Sequence, residues 1–400
     1  MLAVLVSCSG GGDGSHNATQ NAYQLFWGID GTHGYELWRT DGTEAGTVMV
    51  KDINPSGDGS QFGYGFTVFN GALYFQANDS SNGTELWKSD GTETGTVMVR
   101  DISLSGGSGP YGFTELNGAL YFEAYEDTAG WELWKTDGTE AGTVMVKDIN
   151  PSNDSSPSGF TEFNSALYFA AADGTHGNEL WKTDGTEAGT VIVKDINFSG
   201  DGAPYGFTEV NGALYFGVCS ADSGCELWKT DGTEIGTVMV KDINDGINSG
   251  YPAKFTEFSG AWYFLADDGI HGYELWKTDG TEIGTVMVKD INASGSSFWP
   301  SGFTAFNGML YFEASDGTHG SELWKTDGTE AGTVMVKDIN TSADSWPWYF
   351  TVIKGALFFG ANDSTHGYEL WKTDGTEAGT VLMKNLCPDD GFVCDGIHLF

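Results

Sequence analysis

The sequence predicts an all-β fold, an eight-bladed β-propeller with four antiparallel strands per blade, on three observations. The string Glu-Leu-Trp recurs at Glu36, Glu85, Glu132, Glu179, Glu226, Glu274, Glu322 and Glu369, with spacings of 49, 47, 47, 47, 48, 48 and 47 residues. Every unit holds four short apolar runs separated by turn residues, and none shows helical periodicity. The two ends of the repeat array complement one another. Four strands in about 47 residues fall between the periods of WD and kelch blades.

The strands follow in order. Runs such as Phe-Thr-Glu-Phe and Ala-Leu-Tyr-Phe flank Asn-Gly, a dipeptide whose two residues tolerate the positive φ of a tight hairpin; these are strands A and B. Glu-Leu-Trp-Lys-Thr is strand C. After Asp-Gly-Thr-Glu-Ala-Gly comes Thr-Val-Met-Val-Lys-Asp-Ile, strand D, rich in β-branched residues. The first unit starts at Tyr23 with strand B, and Ile397-His-Leu-Phe400 stands where every other unit has strand A. The C-terminal strand is therefore expected to close the first blade, leaving no open edge. A β-solenoid is the rival, but its coils are shorter and need no closure.

Residues 1–8 read as a partial signal peptide, 9–22 as a flexible tether of Gly, Ser, Asn, Asp and Thr, and 23–400 as the propeller. Leu5-Val6-Ser7-Cys8 resembles a bacterial lipobox, which makes Cys8 the candidate lipidation site and predicts an extracellular or cell-surface protein, an outer-membrane lipoprotein. Cys219 with Cys225, and Cys387 with Cys394, bracket short turn-rich loops and are expected to form disulfides in an oxidising compartment. No segment has the run of apolar residues that a transmembrane helix needs. Membrane contact is expected only through the lipid anchor.

Eighteen basic against 56 acidic residues give a formal net charge of −38, which repels phosphate backbones and anionic lipid; no nucleic acid is expected as a partner. The chain has no Gly-x-Ser-x-Gly elbow, no His-Glu-x-x-His and no phosphate-binding glycine loop. No enzyme is therefore expected.

Three sets of residues could carry function. The B–C loops contain Asp-Gly-Thr-His-Gly or a close variant, with histidines at 33, 176, 271, 319 and 366. A hard cation such as calcium could use Asp30, Asp173, Asp268, Asp316 and Asp363 with backbone carbonyls; the structural alternative is a histidine bonded to its own loop. Inner strands carry Glu115, Glu162, Glu209 and Glu257, but Val68, Ala305, Val352 and Leu399 in the other units. The D–A loops vary most and place aromatics beside proline or glycine: Tyr111, Tyr205, Tyr251, Trp299, Trp346 and Trp348. Large rigid rings on a loop-rich rim suit recognition of a glycan or a surface protein, or else plug the channel mouth. The Asp-Gly-Thr of the C–D turn is explained by an Asx-turn, and the motif tryptophans by packing between blades.

The repeat resembles the bacterial ELWxxDGT-repeat family, with ELWRTDGT at Glu36, ELWKSDGT at Glu85 and ELWKTDGT in the other six units. The resemblance covers residues 23–400 and implies a propeller placed at the cell surface, without an established activity or ligand. The reading is a monomeric, surface-anchored binding or scaffold module. Its alternatives are a propeller hydrolase or lyase acting on an extracellular polymer, and a calcium-stabilised structural module.

Overall fold

The computed structural model of the chain describes residues 6–7, 23–60, 66–297 and 302–384. Among the described residues every regular element is a β-strand, and the strands form eight four-stranded antiparallel sheets. Each is a meander whose neighbours follow chain order. The chain divides into two compact units, residues 1–203 with the first four sheets and 204–400 with the last four.

The third sheet represents the rest: Tyr111–Leu116, Ala119–Glu126, Gly130–Thr136 and Val144–Lys147 are its strands A to D. Asn117 and Gly118 join A to B with φ of 51° and 77°, as the mirror-image turn of a hairpin requires. Strand D stops at Lys147, two residues earlier than the apolar pattern predicts. The cause is Glu132. Its fully buried carboxyl accepts from the Ile149 amide at 2.8 Å, the Ser155 amide at 3.2 Å and the Ser155 hydroxyl at 2.7 Å. The motif glutamate thus ties the D–A loop to strand C, and Glu36, Glu85, Glu179, Glu226, Glu274 and Glu322 hold the corresponding isoleucine amide. Each buried donor so paired avoids a desolvation cost of about 1–3 kcal/mol.

Within each unit the core lies between successive sheets. Leu116, Tyr121, Leu133, Val146 and Ile149 of the third repeat pack against Leu167, Phe169, Ala171 and Trp181 of the fourth. Equivalent clusters join the other successive pairs inside both units, so the tryptophan of Glu-Leu-Trp is a core residue of the sheet interface.

A polar latch crosses the same interface. The strand-C Lys135 ammonium donates to the Gly185 carbonyl of the next sheet at 2.8 Å, and strand-D Lys147 passes over the Trp181 ring to donate to the Thr190 carbonyl at 2.8 Å. All of the 18 Lys and Arg residues except Lys254 and Lys354 occupy these two repeat positions. Asp-Gly-Thr is the receiving end. Asp184 Oδ1 accepts from the Thr186 amide at 2.9 Å and its hydroxyl at 2.7 Å, while Gly185 has φ of +92° and lies against the Tyr121 hydroxyl of the preceding sheet. The motif is both an Asx-turn and the face that the previous sheet grips.

One element differs from the sequence reading. The fourth strand of the first sheet is Val6–Ser7, antiparallel to Gln24–Ile29, with Val6 opposite Leu25 and Ser7 opposite Gln24. Residues 397–400, expected in that place, lie outside the described residues. A sheet edge pairs through backbone groups alone, so an extended segment serves whatever its side chains.

The disulfide Cys219–Cys225 is present. The two cysteines face each other across the B–C ladder of the fifth sheet, with Cα atoms 3.8 Å apart. Cys8, Cys387 and Cys394 lie outside the described residues, as does Trp299.

Candidate functional site

The B–C loops are built around their aspartates. Asp30 Oδ1 accepts from the Thr32 and His33 amides at 2.8 and 3.0 Å, and Oδ2 meets His33 Nδ1 at 2.7 Å. The Thr32 amide bond, then the His33 bonds, hold the Asp30 carboxyl down at about 2, and the Asp30 bond raises His33. Asp173 with His176, Asp268 with His271, Asp316 with His319 and Asp363 with His366 repeat the pair at 2.7–2.8 Å. Both oxygens of each carboxylate are engaged with the loop that carries it. Among the described residues no group of three or more His, Cys, Asp or Glu side chains is placed to hold a metal.

Glu115, Glu162, Glu209 and Glu257 are exposed on their inner strands. Val68, Ala305 and Val352, their counterparts in other sheets, are exposed too, and Leu399 lies outside the described residues.

The rim aromatics do not share one environment. Tyr111 is 55 % exposed, at the start of strand A of the third sheet. Tyr205 instead lies flat over Gly217, its hydroxyl buried without a hydrogen-bond partner, and burial pushes that phenol up. Tyr251, Trp346 and Trp348 are 49, 46 and 37 % exposed.

Backbone conformation separates these rings further. The chain takes positive φ twice on entering strand A. Gly109 and Gly112 serve before the third sheet, Ser156 and Gly159 before the fourth. Before the eighth sheet the same places hold Trp346 at φ 45° and Tyr349 at φ 59°, and before the sixth Tyr251 at 45° and Lys254 at 62°. A residue with a Cβ costs roughly 1–2 kcal/mol there relative to glycine.

Sequence reasoning missed one position. In strand B the residue after Leu-Tyr-Phe, or its variant, is Gln76, Glu123, Ala170, Gly217, Leu265, Glu313 or Gly360 in sheets two to eight. It projects beside the apolar interface with the next sheet, toward the loop rim. Glu123 stands opposite Tyr111 in the A–B ladder and Leu133 in the B–C ladder, and Tyr125 and Trp131 pack nearby with ring centroids 5.9 Å apart. Burial alone pushes the Glu123 carboxyl up to about 7. Glu313 is fully buried and accepts from Ser321 Oγ at 2.8 Å and from the Trp348 indole at 2.7 Å. The signal was the variation itself: unlike residues directly after the nearly copied run Ala-Leu-Tyr-Phe.

No protein-family profile and no curated protein matches the chain. Solved structures do. A puromycin hydrolase aligns over 85 % of this chain and 56 % of its own, with 14 % identity and a TM-score of 0.42. A prolyl endopeptidase aligns over 80 and 49 %, with 10 % identity and a TM-score of 0.43. A puromycin-hydrolyzing peptidase of Mycobacterium tuberculosis aligns over 82 and 53 %, with 10 % identity and a TM-score of 0.41. The chain spans about half the length of these structures. All three are named as hydrolytic enzymes, where a binding or scaffold module was expected. At these identities and TM-scores, neither peptidase activity nor a catalytic residue passes from them to this chain.

Proposed function

We propose that the chain acts as a propeller hydrolase or lyase on an extracellular polymer, with Glu123 as its general acid. The supporting observation is the Glu123 carboxyl itself. Burial pushes it to about 7, and it sits opposite a half-exposed tyrosine at a position that the repeats do not copy. A carboxylic acid still protonated near neutrality can give its proton to a leaving oxygen or nitrogen as the bond to it breaks. The motif glutamates of the first seven sheets, pushed equally high, are committed to backbone amides and cannot serve.

The test is release of reducing ends, amines or unsaturated ends from a panel of polysaccharides and peptides by the purified chain. Glu123→Gln is expected to lower kcat at least 100-fold with an unchanged melting temperature, and to remove the fall of kcat above pH 7. Equal turnover by wild type and variant, or no turnover on any polymer, refutes the assignment.

The same reading makes the chain a monomeric member of the ELWxxDGT-repeat family, exported and lipid-anchored through Cys8, with cleavage before Cys8 removing the Val6–Ser7 strand and the eight sheets closing into one propeller. The repeat motif, the lipobox-like tetrapeptide and the like interfaces between successive sheets support it. A compact chain of 400 residues has a radius of gyration of about 21 Å. Small-angle scattering is expected to give that value, and two separated units would give a clearly larger one.

A further inference from the structure

We propose that Trp346, Trp348 and Tyr349, with Tyr368 and Glu313, form a stacking subsite for a glycan chain without anionic groups. The subsite lies in the second unit and goes beyond the acid assigned to Glu123 in the first.

Three observations carry it. The rings are presented to solvent, Trp346 at 46 %, Trp348 at 37 % and Tyr349 at 40 % exposure. The Trp348 ring is also held in place. Trp348 donates its indole N–H to the buried Glu313 carboxyl at 2.7 Å and lies 6.5 Å from the Tyr368 ring, whose hydroxyl donates to the Trp346 carbonyl at 2.9 Å. Rings fixed before binding lose little freedom on contact.

The backbone supplies the third observation. Trp346 and Tyr349 occupy the two positive-φ positions that Gly109 and Gly112 fill before the third sheet. Bulky residues retained where the backbone favours glycine mark a place where the side chain does something that the fold does not require.

The chemistry selects the ligand. The C–H face of a pyranose is apolar and packs on an exposed indole or phenol, while its hydroxyls reach the polar rim. A net charge of −38 disfavours uronic-acid or sulfated polymers, so the occupant is an uncharged glycan.

Calorimetry and tryptophan fluorescence on the full chain test this with maltohexaose, cellohexaose, mannohexaose and chitohexaose, and with an alginate hexamer. At least one neutral hexaose is expected to bind. Trp346→Gly and Tyr349→Gly are each expected to weaken it at least tenfold while leaving the melting temperature equal or higher, which a structural role for these rings would not allow. Glycan binding without turnover would overturn the acid assignment alone, so its failure and failure of the subsite are read separately. Absence of binding by all four neutral hexaoses, binding of alginate alone, or glycine variants that melt lower and bind equally well would each overturn the subsite.

Discussion

Gly185→Ala is expected to destabilise the protein by about 3 kcal/mol, far more than alanine at another positive-φ glycine. Two costs add. At φ +92° an alanine is strained by about 1–2 kcal/mol, and its Cβ runs into the Tyr121 hydroxyl that the preceding sheet lays against the turn. Crowding a packed site costs a further 1–3 kcal/mol. Gly118 isolates the first cost, because its φ is +77° and a Cβ there meets nothing within 4 Å. Urea unfolding should therefore rank Gly185→Ala below Gly118→Ala. Tyr121→Phe in the Gly185→Ala background should recover part of the difference, since it removes the hydroxyl that collides. The Lys135 bond to the Gly185 carbonyl would be strained by the same shift, adding to the loss. Equal destabilisation by the two alanine variants would mean that the turn is a local device and not a contact between sheets.

That distinction shows how far the repeat can be read. Periodicity, Asn-Gly and Glu-Leu-Trp place strands A, B and C in order, because alternation and turn chemistry are local properties of the chain, but strand B runs to Glu126, four residues past Ala-Leu-Tyr-Phe. Strand D is shorter than its apolar run, since the Glu132 carboxyl takes the Ile149 amide away from the ladder. A string of letters does not show that competition. Asp-Gly-Thr was legible as a turn, but its reception of Lys135 and Tyr121 from the preceding sheet was not, because neither partner is near it in sequence.

The candidate sites divide in the same way. The Asp–His pairs close on themselves within four residues and were legible as loop chemistry. Tyr111, Tyr251, Trp346 and Trp348 are exposed as rim residues should be. Tyr205 is not, because Gly217 beneath it leaves a space that its ring fills. Glu123 and Glu313 escaped notice because strand B was read as a consensus. Averaging eight copies removes a column whose side chain differs from sheet to sheet.

Stability is expected to fall as pH rises from about 5 to 8, the reverse of what an acidic surface with lowered carboxyl pKa values alone would give. Burial is the largest influence on Glu36, Glu85, Glu132, Glu179, Glu226, Glu274 and Glu322, and it pushes each carboxyl from 4.5 up to about 7 against the pull of backbone donors. For an acid whose folded pKa is raised, the folded state binds more protons than the unfolded state between the two values. Stability then declines as pH climbs through that window and is flat above it. The histidines act in the same direction. Bonds to Asp30, Asp173, Asp268 and Asp316 raise His33, His176, His271 and His319, so what they add is present below pH 6.5 and lost as pH passes their folded values. The opposite limb belongs to the turn aspartates. Threonine hydroxyls hold Asp41, Asp137, Asp184, Asp279, Asp327 and Asp374 down, and their contribution, present above 3.8, is lost only at lower pH. The melting temperature should therefore peak between about pH 4 and 5.5 and drop by on the order of 5 °C or more by pH 8. Glu132→Gln should melt lower at every pH, because an amide cannot accept at both ends, and should show a shallower decline. A melting temperature that climbs between pH 5 and 8 would show that the amides facing these carboxylates outweigh their burial, and that the glutamates are ionised in the folded protein.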